Sequence, residues 1–445
     1  MSARDDSAHL GESARSVRGF SPRIWLATAE PARGTRSEGR SGSLPAPRGP
    51  MRHTCAPAFS ILAIALLLMP EICPSARAQG SVSDVIGFLV TNQAVPTDDL
   101  ERDRAAAESA RETISRALLV NLTSVPLATS SSGFLYRLNP QLGTVERATE
   151  SFGAFFVERA ITAGRGRASL GLSATTSDFD ELDGRSLRDG TLVTVARQFR
   201  DEAAPFDTES LTLRIRSSTL VAFGSIGVTD RLEIGAAVPF VRLTLEGERV
   251  NVYRGTPLLQ ASGSASASGI GDVAVRAKYT LIAGQDNALS IAAEGRLPTG
   301  DEQNLLGAGS ASYRVIGIGS LEQGRVGLHA NAAAVFGDVS SELLVGGAVL
   351  LAVHPKVTLA GEVLARRVEE LHDINLVAAP HPTIRDLDTL RLSPGDAATT
   401  LSRAVTGIKW NVAGTVVLGA HVTWNVAKRG LTAPFTPTLA IEYAF

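Results

Sequence analysis

The stretch "GIGDVAVRAKYTLIAGQDNALSIAAEGRLPTGD" runs from Gly269 to Asp301. From Val273 every second residue is apolar: Val273, Val275, Ala277, Tyr279 and Leu281. Asp272, Ala274, Arg276, Lys278 and Thr280 stand between them. Beyond "AGQDN" the alternation resumes, with Leu289, Ile291, Ala293, Gly295 and Leu297 against Ser290, Ala292, Glu294 and Arg296. Successive side chains of a strand point to opposite faces. Two strands of about ten residues, each apolar on one face and charged on the other, have the length and dyad pattern of a membrane-barrel hairpin. A soluble β-sandwich also alternates, but its strands usually hold about five or six residues. The pattern directs Val275 and Ile291 toward lipid, and Ala274 and Ala292 toward the barrel interior.

The same reading extends over most of the chain. Twelve candidate strands lie near 167–178, 208–228, 231–250, 265–283, 287–298, 309–321, 325–337, 341–354, 356–368, 397–412, 414–428 and 434–445. Short connections around Asp230, Gln285, Gln323, Pro355 and Ala413 alternate with another set that includes long ones, 179–207, 251–264, 299–308 and 369–396. An even-stranded outer-membrane barrel has short periplasmic turns and longer extracellular loops. The expected fold is therefore all-β: an antiparallel transmembrane β-barrel of about 12 strands over 166–445, preceded by a helical or plug segment. In one strand the apolar phase changes, from Leu232, Ile234, Ala236 and Val238 to Val241, Leu243 and Leu245. A bulge at Pro239-Phe240 would restore the register, because proline cannot donate to the ladder. Aromatic residues make up only 5% of the chain, sparse for two girdles. Trp410, Trp424, Tyr279, Tyr313, Tyr443 and Phe445 are the candidates for one.

The ends of the chain address compartment. Met51-Arg52-His53 opens a basic region, "PAFSILAIALLLM" follows at Pro57–Met69, and Ala76-Arg77-Ala78 offers a small-x-small cleavage site. This is the three-part pattern of a secretory signal peptide, expected over 51–78, with Gln79 as the mature terminus. Its apolar run is about half the ~20 residues that a spanning helix needs. Residues 1–50, rich in Arg, Ser, Gly and Pro, read as a non-native or disordered extension. The only cysteines, Cys55 and Cys73, lie in the leader, so no disulfide framework follows it. Residues 79–445 carry 33 Lys+Arg and 39 Asp+Glu, which argues against nucleic acid as a partner. The chain closes on "TPTLAIEYAF", with Leu439, Ile441, Tyr443 and Phe445 on one face. A final amphipathic strand ending in Phe resembles the assembly signal of outer-membrane barrels. It makes Phe445 the candidate signal, and membrane lipid and the barrel-assembly machinery the expected partners.

Residues 79–165 differ from the rest. Asp98 followed by Glu101 reads as a capping box, and Asp99–Leu119 as one Ala-rich helix. Gly133–Ala148 reads as a hairpin too short to span a membrane. The segment is expected in the periplasm or inside the barrel. Two further strands, making fourteen, are the alternative.

Catalytic chemistry finds little support. His329 and His421 fall in the inward phase of long strands, but no serine motif marks a partner. No His/Cys/Asp/Glu spacing suggests a metal, and the Gly-rich stretches near Gly307 and Gly317 lack the lysine of a phosphate loop. The chain is read as a non-enzyme without cofactor. The inward charges are the better candidates: Arg214, Arg216, Asp272, Arg276, Lys278, Glu294, Arg296, Arg314, Glu362, Arg366, Lys409 and Glu442, with His329 and His421, as lumen-lining residues. Glu233 and Arg242 share that assigned phase. Such charges pair across strands to fill a narrow barrel, or line a path that sets solute preference.

"SGIGDVAVRAKYTL", the strand ending "GRLPTGD", "LLGAGSASYRV" and the preceding "GVTDRLEIGAAVPF" together resemble the MetA-pathway of phenol degradation family of outer-membrane β-barrel proteins. That family is broadly similar to FadL-like channels. The resemblance spans roughly 208–445 and implies passive uptake of small, hydrophobic or aromatic solutes. The other function class that remains is a structural or partner-binding barrel without transport.

Overall fold

The computed structural model describes residues 80–91, 100–123, 136–139, 144–147 and 149–445. The extension 1–50, the expected leader 51–78 and Gln79 lie outside them.

Twelve antiparallel strands form the barrel. They are β1 (Ala168–Phe179), β2 (Asp207–Gly227), β3 (Leu232–Tyr253), β4 in two parts (Thr256–Ile270 and Val273–Ala283), β5 (Asn287–Leu297) and β6 (Ser312–Gln323). They continue as β7 (Val326–Gly337), β8 (Glu342–His354), β9 (Val357–Pro380), β10 (Leu387–Asn411), β11 (Val416–Asn425) and β12 (Thr436–Ala444). Each pairs with the next, and β12 pairs with β1. Phe445 and Ala168 exchange both backbone hydrogen bonds, each 2.9 Å, at the seam. A closed sheet satisfies its backbone groups without water, which lipid demands. The strands at Tyr136–Asn139 and Thr144–Arg147 pair with each other and not with the barrel, so the count is twelve and not fourteen.

The outer face is apolar. Val275 and Ile291 are 44% and 45% exposed, while Ala274 and Ala292 are 1% and 2% exposed. The six candidate girdle aromatics all point outward and fall into two belts. Tyr313 faces Phe336 across the β6–β7 ladder, and Trp424 lies 6.5 Å from Phe435, at the loop end. Tyr279, Trp410, Tyr443 and Phe445 stand at the turn end. Between Tyr313 and Leu321 a strand rises about 27 Å at ~3.4 Å per residue, enough for a tilted strand to cross the apolar layer.

Two expected loops are strands. β2, β3, β9 and β10 run for 21, 22, 24 and 25 residues and project past the loop-end belt. Residues 251–264 make a tight turn at Arg254-Gly255, both with positive φ, and then the upper part of β4. Most of 369–396 continues the β9–β10 hairpin. Within 179–207, the strand Val193–Phe199 joins β2 to β10 above the shorter β11, β12 and β1. The result is a wall around the loop end.

The expected bulge at Pro239-Phe240 is not there. The β2–β3 ladder keeps one register from Asp207↔Tyr253 to Gly227↔Glu233. The extra residue is on the partner strand. Phe240 faces Ile270, but Ala237 faces Ala274, so β4 gains one residue at Gly271-Asp272. Without a bulge in β3, Val241, Leu243 and Leu245 turn inward, where they are buried, rather than to the outer face that the bulge would have kept for them. What changes along β3 is the chemistry of the interior, not the direction of the chain.

Among the described residues two helices fill that apolar interior, where one was expected. α1 (Val82–Thr91) buries Val82, Val85, Ile86, Leu89 and Val90, the spacing of one helical face. α2 (Leu100–Thr123) contributes Ala110, Ile114, Ala117 and Leu118 to the same cluster. Leu211, Leu213 and Ile215 of β2 and Leu243 and Leu245 of β3 complete it. Gly247 faces Leu89 so closely that a Cβ would strike it. α1 begins in a capping box: Ser81 Oγ accepts from Asp84 N–H at 3.1 Å, and Asp84 Oδ2 accepts from Ser81 N–H at 3.0 Å. These bonds hold the Asp84 carboxyl below its usual range.

Val275→Arg or Ile291→Arg puts a charge on the lipid face, which costs about 2–4 kcal/mol near the bilayer midplane. Ala292→Arg acts on the interior instead, because Ala292 packs with Ala160 of the N-terminal segment. In vesicles, the first two changes are expected to lower the urea midpoint of the barrel. The third is expected to keep heat-modifiable migration while exposing residues near 160 to protease.

Candidate functional site: the barrel interior

Residues 149–163 run through the turn-end half of the barrel, and their polar backbone meets inward side chains of the wall. The backbone N–H groups of Phe155, Phe156 and Val157 all donate to the carboxylate of Glu362 on β9, at 2.6, 2.9 and 2.8 Å. Successive N–H groups pointing one way form an anion-binding nest. Here the anion is a side chain of the same protein. Lys409 on β10 donates to Ala154 O at 3.0 Å and stands 4.8 Å from the centre of the Phe155 ring. The ring of His421 on β11 lies 4.3 Å from that of Phe155. Gly407 leaves the room that Phe155 occupies; a Cβ there would overlap it.

The next residues are held the same way. Arg159 pairs with Glu322 at 2.9 Å and donates to Thr149 Oγ1 and Ser151 O. Ala160 N–H donates to Ser320 Oγ at 2.8 Å, and His329 Nδ1 lies 2.8 Å from that oxygen. Lys278 Nζ donates to Arg159 O and Ile161 O, both at 3.3 Å, and stands 3.9 Å from Glu233. Glu233 accepts from Ala163 N–H at 2.9 Å. Arg276 pairs with Glu158.

Arginines of the wall hold the plug helices at their carboxyl ends, where orphan carbonyls and the helix dipole favour a cation. Arg249 donates to Leu89 O of α1 at 3.0 Å and pairs with Glu209 at 3.0 Å, both side chains fully buried. Arg366 donates to Val120 O of α2 at 2.8 Å and pairs with Glu342. Arg403 donates to Asn121 Oδ1 at 2.5 Å.

Two of the clefts between plug and wall are lined by described residues. One, of about 490 Å³ measured out to its mouth, is lined by Arg296, Arg314 and Arg366 and by Asp272, Glu294 and Glu342. Glu294 lies 3.3 Å from Arg296 and 3.6 Å from Arg314. Asp272 accepts from Gly300 and Ala308 N–H, at 3.0 and 2.7 Å, and so fastens the 298–311 loop. The other cleft, of about 600 Å³ on the same measure, is lined mainly by threonine, serine and asparagine, with Arg403.

Twelve of the fourteen lumen-lining candidates point inward: Asp272, Arg276, Lys278, Glu294, Arg296, Arg314, His329, Glu362, Arg366, Lys409, His421 and Glu442. Arg214 and Arg216 point outward, and so does Arg242. Arg216 pairs with Asp178 on the outer surface at 2.9 Å. Their assignment to the interior assumed a wet lumen at every height, whereas the helices make it apolar there. Most inward charges hold the plug rather than border open water. Glu158, Arg159, Glu209, Arg249 and Arg403 were not singled out from the sequence. The last did carry a signal, since it shares the odd phase of Lys409 on one strand. Among the described residues no group of three or more His, Cys, Asp or Glu is placed to hold a metal ion.

Arg249→Met leaves Glu209 buried without its ion-pair partner, which costs about 3–5 kcal/mol. The double change Glu209→Gln with Arg249→Met is expected to recover most of that loss. Denaturant titration of the three variants in micelles measures the difference.

A family model described as "Putative MetA-pathway of phenol degradation" matches residues 195–342, the family that the hairpins resemble. Among solved structures, the chain is similar to the COG4313 outer membrane channel from Pseudomonas putida F1. That match has 13% identity and a TM-score of 0.40, and it covers 64% of this chain and 98% of that one. It is also similar to the translocator domain of autotransporter NalP from Neisseria meningitidis. There the identity is 11% and the TM-score 0.33, with 63% and 89% covered. A third likeness is OmpT, an outer membrane protein of Vibrio cholerae, at 10% identity and a TM-score of 0.25, covering 62% and 98%. No curated protein matches the chain.

Proposed function

We propose that this chain is an outer-membrane channel for passive uptake of small solutes, with its N-terminal segment as a resident plug. The observation that carries the reading is how the turn-end half of the interior is filled. A twelve-strand ring is wider than the eight-strand kind that its own side chains fill. Here a separate segment, residues 149–163, occupies it, held by hydrogen bonds and ion pairs beside two small apolar clusters. Such bonds can be replaced by bonds to water when the segment leaves, at about 1.5–3 kcal/mol for each that involves a charged group, whereas a continuous apolar core finds no such replacement. A polar-mounted plug can therefore leave while the barrel persists. The family likeness supports small hydrophobic or aromatic solutes as the cargo. Phe445, which closes the seam with Ala168, is the assembly signal in this reading, and membrane lipid and the barrel-assembly machinery are the partners.

The test is conductance across planar bilayers. Glu362→Ala strands three buried N–H groups, at about 1–3 kcal/mol each. The variant is expected to open more often and conduct more than the full chain, with barrel migration unchanged. If both proteins fold and stay silent toward small ions, the alternative of a structural or partner-binding barrel takes its place. Deleting Phe445 is expected to reduce the amount of heat-modifiable barrel in outer membranes, measured by gel shift of membrane fractions.

A further inference from the structure

The outer face of β2, β3 and β4 changes chemistry along one line. Leu220, Phe240 and Ile270 stand side by side in a single outward row. Below them that face is apolar, with Ala222, Ile226, Ile234, Ala236 and Val238. The next outward row up is Ser218, Arg242 and Ser268, and the one above it is Arg216, Thr244 and Ser266. Arg214 follows, opposite Glu246. The line sits at the loop-end belt. Thr436 Oγ1 meets Ser177 Oγ at 3.2 Å, so Phe435, one residue nearer the loop end, lies level with Asp178, which pairs in register with Arg216.

The arginines of this face are only partly neutralised. Arg216 shares Asp178 with Arg188, at 2.9 and 2.7 Å. Arg214 and Arg242 are exposed, and neither has an ion-pair partner among the described residues. Four arginines, Arg188, Arg214, Arg216 and Arg242, stand against two carboxylates, Asp178 and Glu246, an excess of two positive charges. Arg216 and Arg242 are diagonal neighbours on the ladder, about 7–8 Å apart at the backbone. Like charges held this close repel each other until an anion stands between them.

The setting selects the anion. At the rim of a bilayer the groups that face a barrel wall are lipid headgroups, and the longer strands and loops mark this rim as the outer one. A guanidinium takes two phosphate oxygens at once. A phosphate monoester carries about −1.5 to −2 charges near neutral pH, more than a phosphodiester. The hydroxyls of Ser218, Thr244, Ser266 and Ser268 beside the arginines both donate and accept, which suits the hydroxyls of a sugar. We propose that this face holds a phosphorylated glycolipid of the outer leaflet. Its phosphate monoester lies between Arg242 and Arg216 with Arg214 above, its sugar along the Ser/Thr rows, and its acyl chains on the apolar rows below Phe240. The proposal rests on the membrane placement of the barrel and not on conduction.

Native mass spectrometry of the full chain, refolded in micelles, counts bound lipid as three probes are titrated in turn: bisphosphorylated lipid A, its dephosphorylated form, and phosphatidylglycerol. Bisphosphorylated lipid A is expected to bind at one site, at least tenfold tighter than either of the others. A basic residue at a membrane surface contributes about fivefold in affinity, so Arg214→Gln with Arg242→Gln is expected to weaken that binding at least tenfold. Neither change strands a partner, so heat-modifiable migration is expected to stay as in the parent. Arg231→Gln with Lys356→Gln removes the same charge from exposed positions at the turn-end rim and is expected to change binding less than twofold. Glu246→Gln takes away the opposing carboxylate without touching an arginine, and is expected to tighten binding at least twofold. Equal binding of phosphatidylglycerol or of the dephosphorylated form overturns the proposal. So does a loss from the turn-end pair as large as that from the arginine pair, or an unchanged affinity in Glu246→Gln.

Discussion

Everything in this molecule depends on the closure of the sheet. When β12 meets β1 and Phe445 exchanges backbone hydrogen bonds with Ala168, the ring of strands between the two aromatic belts closes. Closure removes the cost of unpaired backbone in lipid. It also fixes each residue as inward or outward, since slipping one strand by a residue would turn its whole set of side chains over. Twelve strands make a ring too wide for its own side chains to fill. The N-terminal segment is the physical consequence: an interior that needs filling and a chain that brings its own filler.

The filler changes character with height, and the wall changes with it. At the loop end the interior is that of a soluble domain, with leucines of β2 and β3 packed on α1 and α2. At the turn end it is mixed, with Glu362, Lys409, Lys278 and Glu233 bonded to the backbone of 154–163 between small apolar clusters around Phe155 and Ala160. The two regimes use the same strands without a break in the β2–β3 ladder. The bulge at Gly271-Asp272 is where β4 shifts phase between them, so that its upper part turns odd residues inward and its lower part even ones.

This explains what the sequence made legible. Wherever polarity and direction agree, as in β5 through β8, strand positions, faces and turns can be read directly, because lipid permits one arrangement. Reading fails where the interior is itself apolar. Leu211, Leu213 and Ile215 alternate with Arg214 and Arg216 as a lipid face alternates with a lumen, yet the leucines are inside. Local pattern cannot distinguish an apolar exterior of lipid from an apolar interior of helix. The helix itself was half legible. "SVSD" at Ser81–Asp84 is a capping box ahead of an apolar stripe, but it sits just past the expected cleavage site, where a mature terminus masks the start of a helix. The hydroxyl row of the second cleft was not legible at all. Its residues come from five strands, and only the register of the closed ring brings them to one height.

The two regimes also bear on how such a plug could open. Buried apolar surface contributes about 25 cal/mol per Å², and there is no solvent partner to replace it. Hydrogen bonds can be traded for water at much smaller net cost. The helices of the loop end are therefore the anchored half, tied further by Arg249 and Arg366 at their carboxyl ends. Residues 149–163 are the half with the larger share of polar contacts, and in the proposed channel they are the part that moves. The hydroxyl-lined cleft lies at the junction, with Asn121 and Leu122 of α2 on one side and Phe156 of the releasable segment on the other.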